Sequence, residues 1–262
     1  MSKKKLAVVI PVHKENLDKY EKLSYNQVLV KLKSHDIFII GPENLNFEAY
    51  RNGPAQIIEL DTSYFYSAQR HNQLLLSNDL YGKFTDYEYI LYHQLDAFIF
   101  GDSIDYWCNQ EYDYLGAPWL DTQLHYGNRI LYYSLNNLPR VIGLLAKKMF
   151  GIKEHLPGNG GLSLRRTSSF IEALAKLEKV RKNWGSRNED VFWSFLVPNH
   201  ISTFKVAPFR EALKFSFDMF PEKSYQLNNN QLPYGCHAWS HPENLEFWKP
   251  IVEKCMDAQL PE

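Results

Sequence analysis

A carboxylate near the end of an apolar segment is the first residue of this sequence that could do chemistry. Asp96 lies in YILYHQLDAFIF (residues 89–100), a segment otherwise typical of a buried strand. An acid just past such a strand can hold a cation or orient a ligand. A capping or turn role is the structural alternative, and position alone supports the two interpretations equally.

Three further polar clusters contain residue types that catalysis uses. GNGG at residues 158–161 precedes an apolar run, Asn188-Glu189-Asp190 opens the segment VFWSFL, and His237 lies in GCHAW. Each cluster has a structural explanation: a glycine-rich turn, an N-cap followed by acids in the first helical turn, and a histidine packed beside tryptophan. Taken singly, each of these three is better explained by structure than by catalysis.

The elements around these clusters predict an α/β fold. Apolar, β-branched runs predict buried strands, and helical spacing predicts helices between them. The predicted strands cover residues 6–12, 37–40, 57–60 and 89–92, and the predicted helices cover residues 14–32 and 67–80. This alternation implies a mostly parallel central sheet flanked by helices. Ligands bind outside the carboxyl ends of such strands, which is where we expect Asp96.

The second half of the chain is less regular. After the turn at residues 158–161 we predict a strand at residues 162–165, a helix at residues 168–182 and another helix from about residue 189. Residues 140–150 also have helical spacing. The polar linker NNNQLPYG then leads to a C-terminal segment that ends in a short helix.

Composition excludes several functional classes. Hydrophobic residues make up 45% and charged residues 23% of the 262 residues, and the formal net charge is -1. These values are typical of a soluble globular chain and argue against a general nucleic-acid binder. No apolar run is long enough to span a bilayer. Three cysteines without metal-ligand spacing (Cys108, Cys236 and Cys255) fit a reducing compartment, so we expect a cytoplasmic protein.

The four clusters occur in an order that resembles nucleotide-sugar glycosyltransferases of the GT-A fold. In many of these enzymes a strand ends in Asp-x-Asp, and a glycine-rich acceptor loop, a Glu-Asp motif and a C-terminal His follow. YILYHQLDAFIF matches that strand without a gap: Asp96 corresponds to the last Asp, and Gln94 replaces the first. The segments GNGGLSLR, NEDVFWS and LPYGCHAW also resemble a bacterial family found with surface-polysaccharide genes. The resemblance covers about residues 6–248.

The resemblance implies an activity and an organisation. The implied enzyme is an inverting glycosyltransferase that moves a hexose from a nucleoside diphosphate sugar, UDP-sugar by preference, to a hydroxyl of a glycan acceptor. It would act in the synthesis of bacterial surface polysaccharide, O-antigen or capsule. A single GT-A-like domain over residues 1–262 is implied, with a nucleotide-sugar-binding half over about residues 1–118 and an acceptor-binding half over about residues 119–262.

The resemblance also assigns roles to residues. Asp190 becomes the general base and Glu189 its alternative, while Asp96 and His237 become metal ligands. The opening VVIPVHKE resembles the first strand and the uridine-binding turn of the family. The implied donor-binding residues are Pro11, Val12, His13, Glu15, Arg70, Asn72, Gln94 and Asp96, and the implied acceptor-binding residues are Trp119, Asn159, Gly160 and Gly161.

Glycosyl transfer explains why these residue types are needed. A divalent cation held by carboxylate and imidazole stabilises the leaving diphosphate; oxygen ligands suit Mg²⁺ or Mn²⁺, and an imidazole favours Mn²⁺. Because Gln94 carries no charge, the cation is held more weakly, or an Arg or Lys replaces it. Arg70 and His71 are then candidate phosphate contacts. A carboxylate at a helix N-terminus, such as Asp190, takes the proton of the acceptor hydroxyl.

Two other functions remain open from the sequence. A nucleotidyltransferase shares the early α/β half, but it usually has a glycine-rich basic loop after the first strand, and PVHKEN contains no glycine. A non-catalytic carbohydrate-binding module would use the aromatic residues, which are 15% of the chain, and would not need Asp190. A Rossmann dehydrogenase is disfavoured because no G-x-G-x-x-G follows a strand, and no P-loop motif is present.

A basic amphipathic segment at residues 140–153, RVIGLLAKKMFGIK, raises the question of a membrane contact. Such a helix can lie on an anionic membrane surface, which would suit a lipid-linked glycan acceptor on the inner membrane face. Packing into the core is the favoured explanation, because most amphipathic helices of soluble domains pack inward. The expected partners are therefore a nucleotide-sugar donor and a glycan or lipid-linked glycan, with a peripheral membrane contact as a hypothesis and no nucleic acid.

Overall fold

The computed structural model describes residues 3–51, 53–102, 104–120 and 157–257. The helix predicted at residues 140–150 and the amphipathic segment at residues 140–153 lie outside these residues.

Nine strands within the described residues form two sheets. Six build a central sheet in the order β3-β2-β1-β4-β7-β6, and three build a small sheet in the order β5-β9-β8. The strands are β1 (Lys4–Pro11), β2 (Asp36–Pro42), β3 (Gln56–Leu60), β4 (Tyr87–His93), β5 (Phe98–Ile99), β6 (Tyr114–Pro118), β7 (Pro157–Arg166), β8 (Ser216–Phe217) and β9 (Gly235–Cys236). Strands β1 to β4 run parallel, and β7 is antiparallel to both β4 and β6. The predicted α/β fold with a mostly parallel central sheet is confirmed.

Strands β1, β2 and β4 are largely buried on both faces, which explains their largely apolar sequences, whereas the edge strand β3 is mostly exposed or half-buried. In β1, Leu6, Val8 and Ile10 pack into one hydrophobic core, while Ala7 and Val9 pack into the core on the other face. A third core lies at the small sheet and is built around Phe98, Trp239 and Trp248.

Helices flank the central sheet and connect its strands. They are α1 (Lys19–Lys31), α2 (Ala68–Leu75), α3 (Asn78–Tyr81), α4 (Ile104–Cys108), α5 (Thr167–Lys176), α6 (Glu178–Trp184), α7 (Glu189–Val191), α8 (Val197–His200), α9 (Phe209–Phe215), α10 (Pro221–Leu227) and α11 (Pro242–Asp257). Short 3₁₀ turns occupy Glu48–Tyr50, Thr62–Phe65 and Gly82–Phe84, and Phe192–Leu196 forms a π-helical turn.

Capping side chains set helix boundaries that differ from the predicted ones. The helix predicted at residues 14–32 begins only at Lys19, because the Asp18 side chain accepts from the N–H groups of Tyr20 and Glu21, and Glu21 accepts from the Asp18 N–H. This capping box fixes the start of the helix. The helix predicted at residues 67–80 is two helices, since the Ser77 hydroxyl caps α3.

The glycine-rich segment is part of a strand, so the turn predicted at residues 158–161 is wrong. Residues 157–166 form the single strand β7, which pairs with β4 and β6. The register of β7 with β6 shifts between Gly116 and Ala117 and again before Pro118. These irregularities accommodate the glycines without ending the strand.

Two further helices also differ from their predicted lengths. The helix predicted at residues 168–182 is interrupted at Leu177, between α5 and α6, and the C-terminal helix α11 has 16 residues. Within the described part of the chain, no helix combines the length and the apolarity that crossing a membrane requires.

Candidate active site

The turn after β4 lies where the two sheets meet. The Gln94 N–H donates to Gly161 O of β7 at 2.8 Å, and the Trp239 N–H, just past β9, donates to Asp96 O at 3.1 Å. A further bond from the Ala97 N–H to Gln94 O closes the turn at 3.0 Å. The backbone therefore holds Gln94 and Asp96 at the carboxyl edge of the parallel strands, as the sequence predicts.

His237 brings three polar side chains together at this turn. Its Nε2 lies 3.3 Å from Asp96 Oδ1 and 3.0 Å from Gln94 Oε1, and its Nδ1 lies 2.9 Å from Asp218 Oδ1. Burial alone would lower the pKa of His237, but the carboxylates of Asp96 and Asp218 raise the pKa to about 10. In return, His237 holds the pKa of Asp96 below its usual value, although the partial burial of this carboxyl opposes its ionisation.

Asp218 is a residue of this site that the sequence analysis missed. Parallel pairing of β8 with β9 aligns Phe217 with Cys236, which places Asp218 next to His237. The side chain is buried, and its second oxygen, Oδ2, accepts from Asn159 Nδ2 at 3.1 Å. Asn159 Oδ1 in turn accepts from the Gly161 N–H at 2.8 Å. Asp218 thus connects His237 to the glycine-rich part of β7.

Two glycines of β7 are needed because site side chains contact the backbone directly. A Cβ at Gly161 would lie 2.2 Å from His237 Nε2, and a Cβ at Gly160 would lie 2.2 Å from Glu189 Oε1. Both distances are far shorter than a van der Waals contact. The predicted acceptor residues Gly160 and Gly161 therefore have a structural role in seating Glu189 and His237.

The atoms around His237 could hold a divalent cation once Nε2 has lost the proton that the raised pKa of His237 retains at neutral pH. Asp96 Oδ1, Gln94 Oε1 and His237 Nε2 lie together, while Asp218 occupies the other ring nitrogen, as carboxylates commonly do for metal-binding histidines. A carboxylate, an amide oxygen and an imidazole are a donor set that suits Mn²⁺. No group of three or more His, Cys, Asp or Glu able to hold a metal occurs among the described residues, so oxygen atoms of a ligand would have to complete the coordination.

A cavity of about 560 Å³ lies beside this site. Five of the predicted donor residues line it together: Pro11, Val12, His13, Gln94 and Asp96. Side chains from the N-terminal end of α2 and the preceding turn form another wall, among them His71 and Tyr66, which is 74% exposed. The volume lies within the range of small-molecule and cofactor sites.

His71 is the titratable residue of the α2 wall. Its Nε2 lies 2.5 Å from the hydroxyl of Tyr92, which is fully buried. Burial lowers the pKa of His71 to about 4, and the charge of Arg165 acts in the same direction. His71 is therefore neutral at neutral pH, and it can offer a hydrogen bond to a ligand but not a charge.

Three predicted donor residues do not line the cavity. Glu15 is exposed in the segment after β1. Arg70 lies on the face of α2 that points away from the cavity and donates to Gln73 Oε1 at 3.1 Å. Asn72 donates to Ser186 O at 3.3 Å and so connects α2 to the segment before α7.

Glu189 forms an ion pair in the interior of the protein. Its carboxylate makes a bidentate contact with the Arg165 guanidinium, at 2.9 Å and 3.3 Å, and both side chains are buried. Arg165 also lies 4.8 Å from the ring centre of Tyr92 and donates to Tyr81 Oη at 2.8 Å. Burial opposes the charge, but Glu189 raises the pKa of Arg165 above its ordinary value. A carboxylate held in this way is poorly placed to take a proton from a substrate.

Asp190 and Trp119 lie at the start of β7. Asp190 is half-buried, follows the N-cap Asn188, and accepts from the Val191 N–H at 2.7 Å. Its charge acts on Tyr114, whose hydroxyl donates to Gly158 O at 2.8 Å. Trp119 packs so closely on Gly158 that a Cβ there would lie 2.1 Å from its ring. Within the Glu-Asp pair, Glu189 is the member that Arg165 holds in an ion pair.

Comparison with known proteins supports the assignment of the fold. A family model described as "Protein of unknown function (DUF5672)" matches residues 54–237. No curated protein matches the chain.

The galactosyltransferase LgtC, solved with donor and acceptor sugar analogs, is similar with a TM-score of 0.53 and 13% identity, covering 98% of each chain. Mouse xyloside xylosyltransferase 1 in its apo form is similar with a TM-score of 0.53 and 9% identity, covering 89% of this chain and 97% of that one. At these identities the likeness shows a shared fold, the GT-A fold.

Proposed function

We propose that this chain, which belongs to the DUF5672 family, transfers a glycosyl group from a nucleoside diphosphate sugar to a hydroxyl group. One observation carries the proposal. The cavity of about 560 Å³ at the carboxyl ends of the parallel strands is lined by Gln94 and Asp96, which contact His237. This combination offers a nucleotide-sized volume next to a site for a diphosphate and its counter-charge. The shared fold with two glycosyltransferases is further support.

The donor would occupy the cavity with its nucleoside near the segment after β1. Pro11, Val12 and His13 line that end, and the exposed ring of Tyr66 is available to stack on a base. The diphosphate would then lie at Gln94 and Asp96. UDP is the proposed nucleotide because the opening VVIPVHKE resembles a uridine-binding turn.

A divalent cation, Mn²⁺ or Mg²⁺, would be held by Asp96, His237 and Gln94. When bound, the cation would supply Lewis-acid stabilisation of the negative charge on the leaving diphosphate. Asp218 fixes the orientation of the His237 ring by its contact with Nδ1. Asn159 and the Gly161 N–H hold Asp218 in place, so the start of β7 supports the site indirectly.

Asp190 is the proposed general base. The acceptor hydroxyl oxygen forms a bond to the anomeric carbon, the bond from that carbon to the diphosphate oxygen breaks, and the hydroxyl proton passes to Asp190. A single displacement of this kind inverts the anomeric centre. Glu189 is not favoured for this role because Arg165 binds both of its carboxylate oxygens.

A glycan, free or lipid-linked, is the proposed acceptor, with surface-polysaccharide synthesis in bacteria as the proposed setting. This finer proposal rests on the resemblance of GNGGLSLR, NEDVFWS and LPYGCHAW to that family. Trp119, Asn159, Gly160 and Gly161 remain the proposed acceptor side of the site. A nucleotidyltransferase and a non-catalytic carbohydrate-binding module are the competing functions.

Calorimetric titration separates these functions first. We expect UDP to bind more tightly than UMP, because the second phosphate reaches Asp96 and His237, and we expect Mn²⁺ to increase the difference. A carbohydrate-binding module would bind oligosaccharides and show no affinity for UDP. A nucleotidyltransferase would release diphosphate when given a nucleoside triphosphate and a sugar phosphate. Either result would contradict the proposal.

Turnover and stereochemistry are tested next. The purified chain is incubated with a panel of nucleotide sugars and glycan acceptors, and products are identified by mass spectrometry. We expect one donor class to give a product one sugar residue heavier together with free nucleoside diphosphate. Proton NMR of that product should show the anomeric configuration opposite to that of the donor. Retention of configuration would remove Asp190 from the role of base in a single displacement.

A further inference from the structure

A second cavity, of about 400 Å³, lies on the other side of α2 from the proposed donor cavity. Three of the four charged side chains in its lining are cationic: Arg70 from α2 and Arg181 and Lys182 from α6, against the single carboxylate of Asp61. Polar groups complete the lining, among them Gln73. No residue of this cavity lines the donor cavity.

Helix α2 separates the two cavities because its two faces serve different sites. Ala68 and His71 face the donor cavity, whereas Arg70 and Gln73 face the second cavity. Positions three apart lie on one helix face, and positions one or two apart do not. The sequence predicts that Arg70 contacts the donor phosphates, but in the structure Arg70 lines the second cavity.

The guanidinium groups of Arg70 and Arg181 have N–H donors that are not used by the residues the structure describes and could bind a ligand. Arg70 donates from Nη1 to Gln73 Oε1, and Arg181 donates from Nη1 to Leu76 O at 3.3 Å. Arg181 Nε is buried and has no hydrogen-bond partner within the described part of the chain. Neither guanidinium forms an ion pair with a carboxylate among the described residues. A guanidinium presents five N–H donors, so these contacts leave most of that capacity unused.

The other charged groups at this cavity are already engaged. Asp61 accepts from the Ser63 N–H at 2.8 Å, which holds its carboxylate at the start of a 3₁₀ turn. Lys182 pairs with Glu178 one helical turn earlier at 2.6 Å, a surface pair of low energy that a stronger anion can displace. The cavity therefore attracts an anion, and the two arginines supply the groups that would bind it.

We propose that this second cavity binds a phosphate group. Arginine pairs match the planar donor geometry that phosphate oxygens accept, and two guanidinium groups from different helices can contact one phosphate from two sides. The volume exceeds that of a phosphate ion, which leaves room for an attached sugar. The bound group is either free inorganic phosphate or the phosphate of a small ester. This proposal is independent of the proposed glycosyl transfer.

The position of the cavity means that a bound phosphate would also affect the stability of the chain. Asn72 connects α2 to Ser186, and Gly185, which lines the cavity, ends α6 just before the segment that leads to Asp190. A phosphate held by Arg70 and Arg181 would join α2 to α6 across the cavity. We therefore expect binding to raise the thermal stability of the whole chain.

Calorimetric titration of the intact chain tests the site at low ionic strength. The probes are inorganic phosphate, diphosphate and a hexose 6-phosphate, because these differ in what is attached to the phosphate. The double variant Arg70→Gln/Arg181→Gln should weaken binding of the bound probe roughly tenfold or more, since each arginine supplies charge-assisted hydrogen bonds. Arg181 also holds Leu76 O, so the milder variant Arg70→Gln/Lys182→Gln is measured beside it and should weaken binding in the same direction.

Lys176→Gln is the matched control. Lys176 forms an exposed pair with Glu172 four positions earlier, as Lys182 does with Glu178, but it does not line the cavity. The control should bind like the parent chain. Much tighter binding of the hexose 6-phosphate than of inorganic phosphate would identify the ligand as an ester, and equal binding would identify it as free phosphate. No binding of any probe at millimolar concentration, or unchanged binding by both double variants, would overturn the proposal.

Discussion

Asp218 Oδ1 lies 2.9 Å from His237 Nδ1, although 19 positions separate the two residues in the sequence. This contact occupies one side of the imidazole and leaves Nε2 facing Asp96 and Gln94. The orientation of the His237 ring thus depends on a carboxylate that does not line the cavity beside it. Asp218 is accordingly a positioning residue, and its effect can be separated from that of Asp96 by experiment.

We expect Asp218→Asn to weaken Mn²⁺ binding and turnover about 10- to 100-fold, the usual effect of removing a carboxylate behind a metal-binding histidine. The amide keeps the size of the side chain and its contact with Asn159 but no longer provides a charged acceptor for His237. Mn²⁺ affinity is measured directly by electron paramagnetic resonance. Unchanged affinity together with unchanged turnover would show that Asp218 serves the fold alone.

Asp96→Ala should reduce transfer by roughly 100-fold or more, as loss of a group that stabilises developing charge does in other sites. The side chain of Asp96 is 43% exposed, so its loss should leave the far-UV circular dichroism spectrum unchanged. Asp105→Ala is the control, because Asp105 is also exposed but lies on α4. Full activity of a folded Asp96→Ala protein would return Asp96 to a turn-forming role.

Asp190→Asn should lose turnover, whereas Glu189→Gln should lose stability. Removing a general base costs about 10²- to 10⁴-fold in rate, so Asp190→Asn should lose turnover and keep both UDP affinity and stability. Glu189→Gln leaves the buried Arg165 without its counter-ion and should lower the free energy of unfolding by about 3–5 kcal/mol. Urea denaturation and steady-state kinetics of both variants make the comparison. A stable Glu189→Gln protein without turnover, beside an active Asp190→Asn protein, would move the base by one residue.

Gly161→Ala should displace His237 without unfolding the protein. The new methyl group would lie 2.2 Å from the His237 ring, so the imidazole must move away from Asp96 and Gln94. We expect a loss of Mn²⁺ affinity comparable to that of Asp218→Asn. Gly82→Ala is the control, because a Cβ there would lie 3.3 Å from the flexible side chain of Asn78. Equal behaviour of the two alanine variants would argue against close packing of His237 on β7.

Acid should destabilise the chain between about pH 6.5 and pH 4, in part through His71. Burial lowers the pKa of His71 from 6.5 to about 4, so within this window the unfolded chain binds a proton that the folded chain does not. Stability therefore rises with pH through the window and falls as pH drops. His71→Gln removes this titration, and urea denaturation from pH 7 to pH 4 should give a shallower loss of stability than for the parent chain. An identical slope would contradict the lowered pKa of the half-buried His71.

The sequence predicts the parallel half of the fold well because its signals are local. Strands β1, β2 and β4 are largely apolar runs separated by helices or turns, so the position of Asp96 at the strand ends follows directly. The boundaries were harder to predict. The start of α1 depends on the reciprocal hydrogen bonds of Asp18 and Glu21, and the break before α3 depends on the Ser77 hydroxyl.

The features that the sequence does not predict depend on contacts between segments that are distant in the chain. The glycines at residues 158–161 are typical of a turn, but β4 and β6 flank them and extend them into β7. Asp218 stands between apolar residues in FSFDMF, and only the pairing of β8 with β9 places it at His237. Arg165 stands in LSLRR without any local sign of burial. Its partner Glu189 is found only when β7 and α7 are packed together.

The small sheet also has a consequence for the order in which the protein folds. Gln94 and His237 are 143 positions apart, and they meet only after β9 has docked on β5 and the Trp239 N–H has reached Asp96 O. The parallel strands β1 to β3, by contrast, pair with near neighbours in the chain and close much shorter loops. Closing the longer loop costs more entropy before any contact offsets it. Strands β1 to β3 should therefore pair first, and the site around His237 should be among the last parts of the chain to acquire its native geometry.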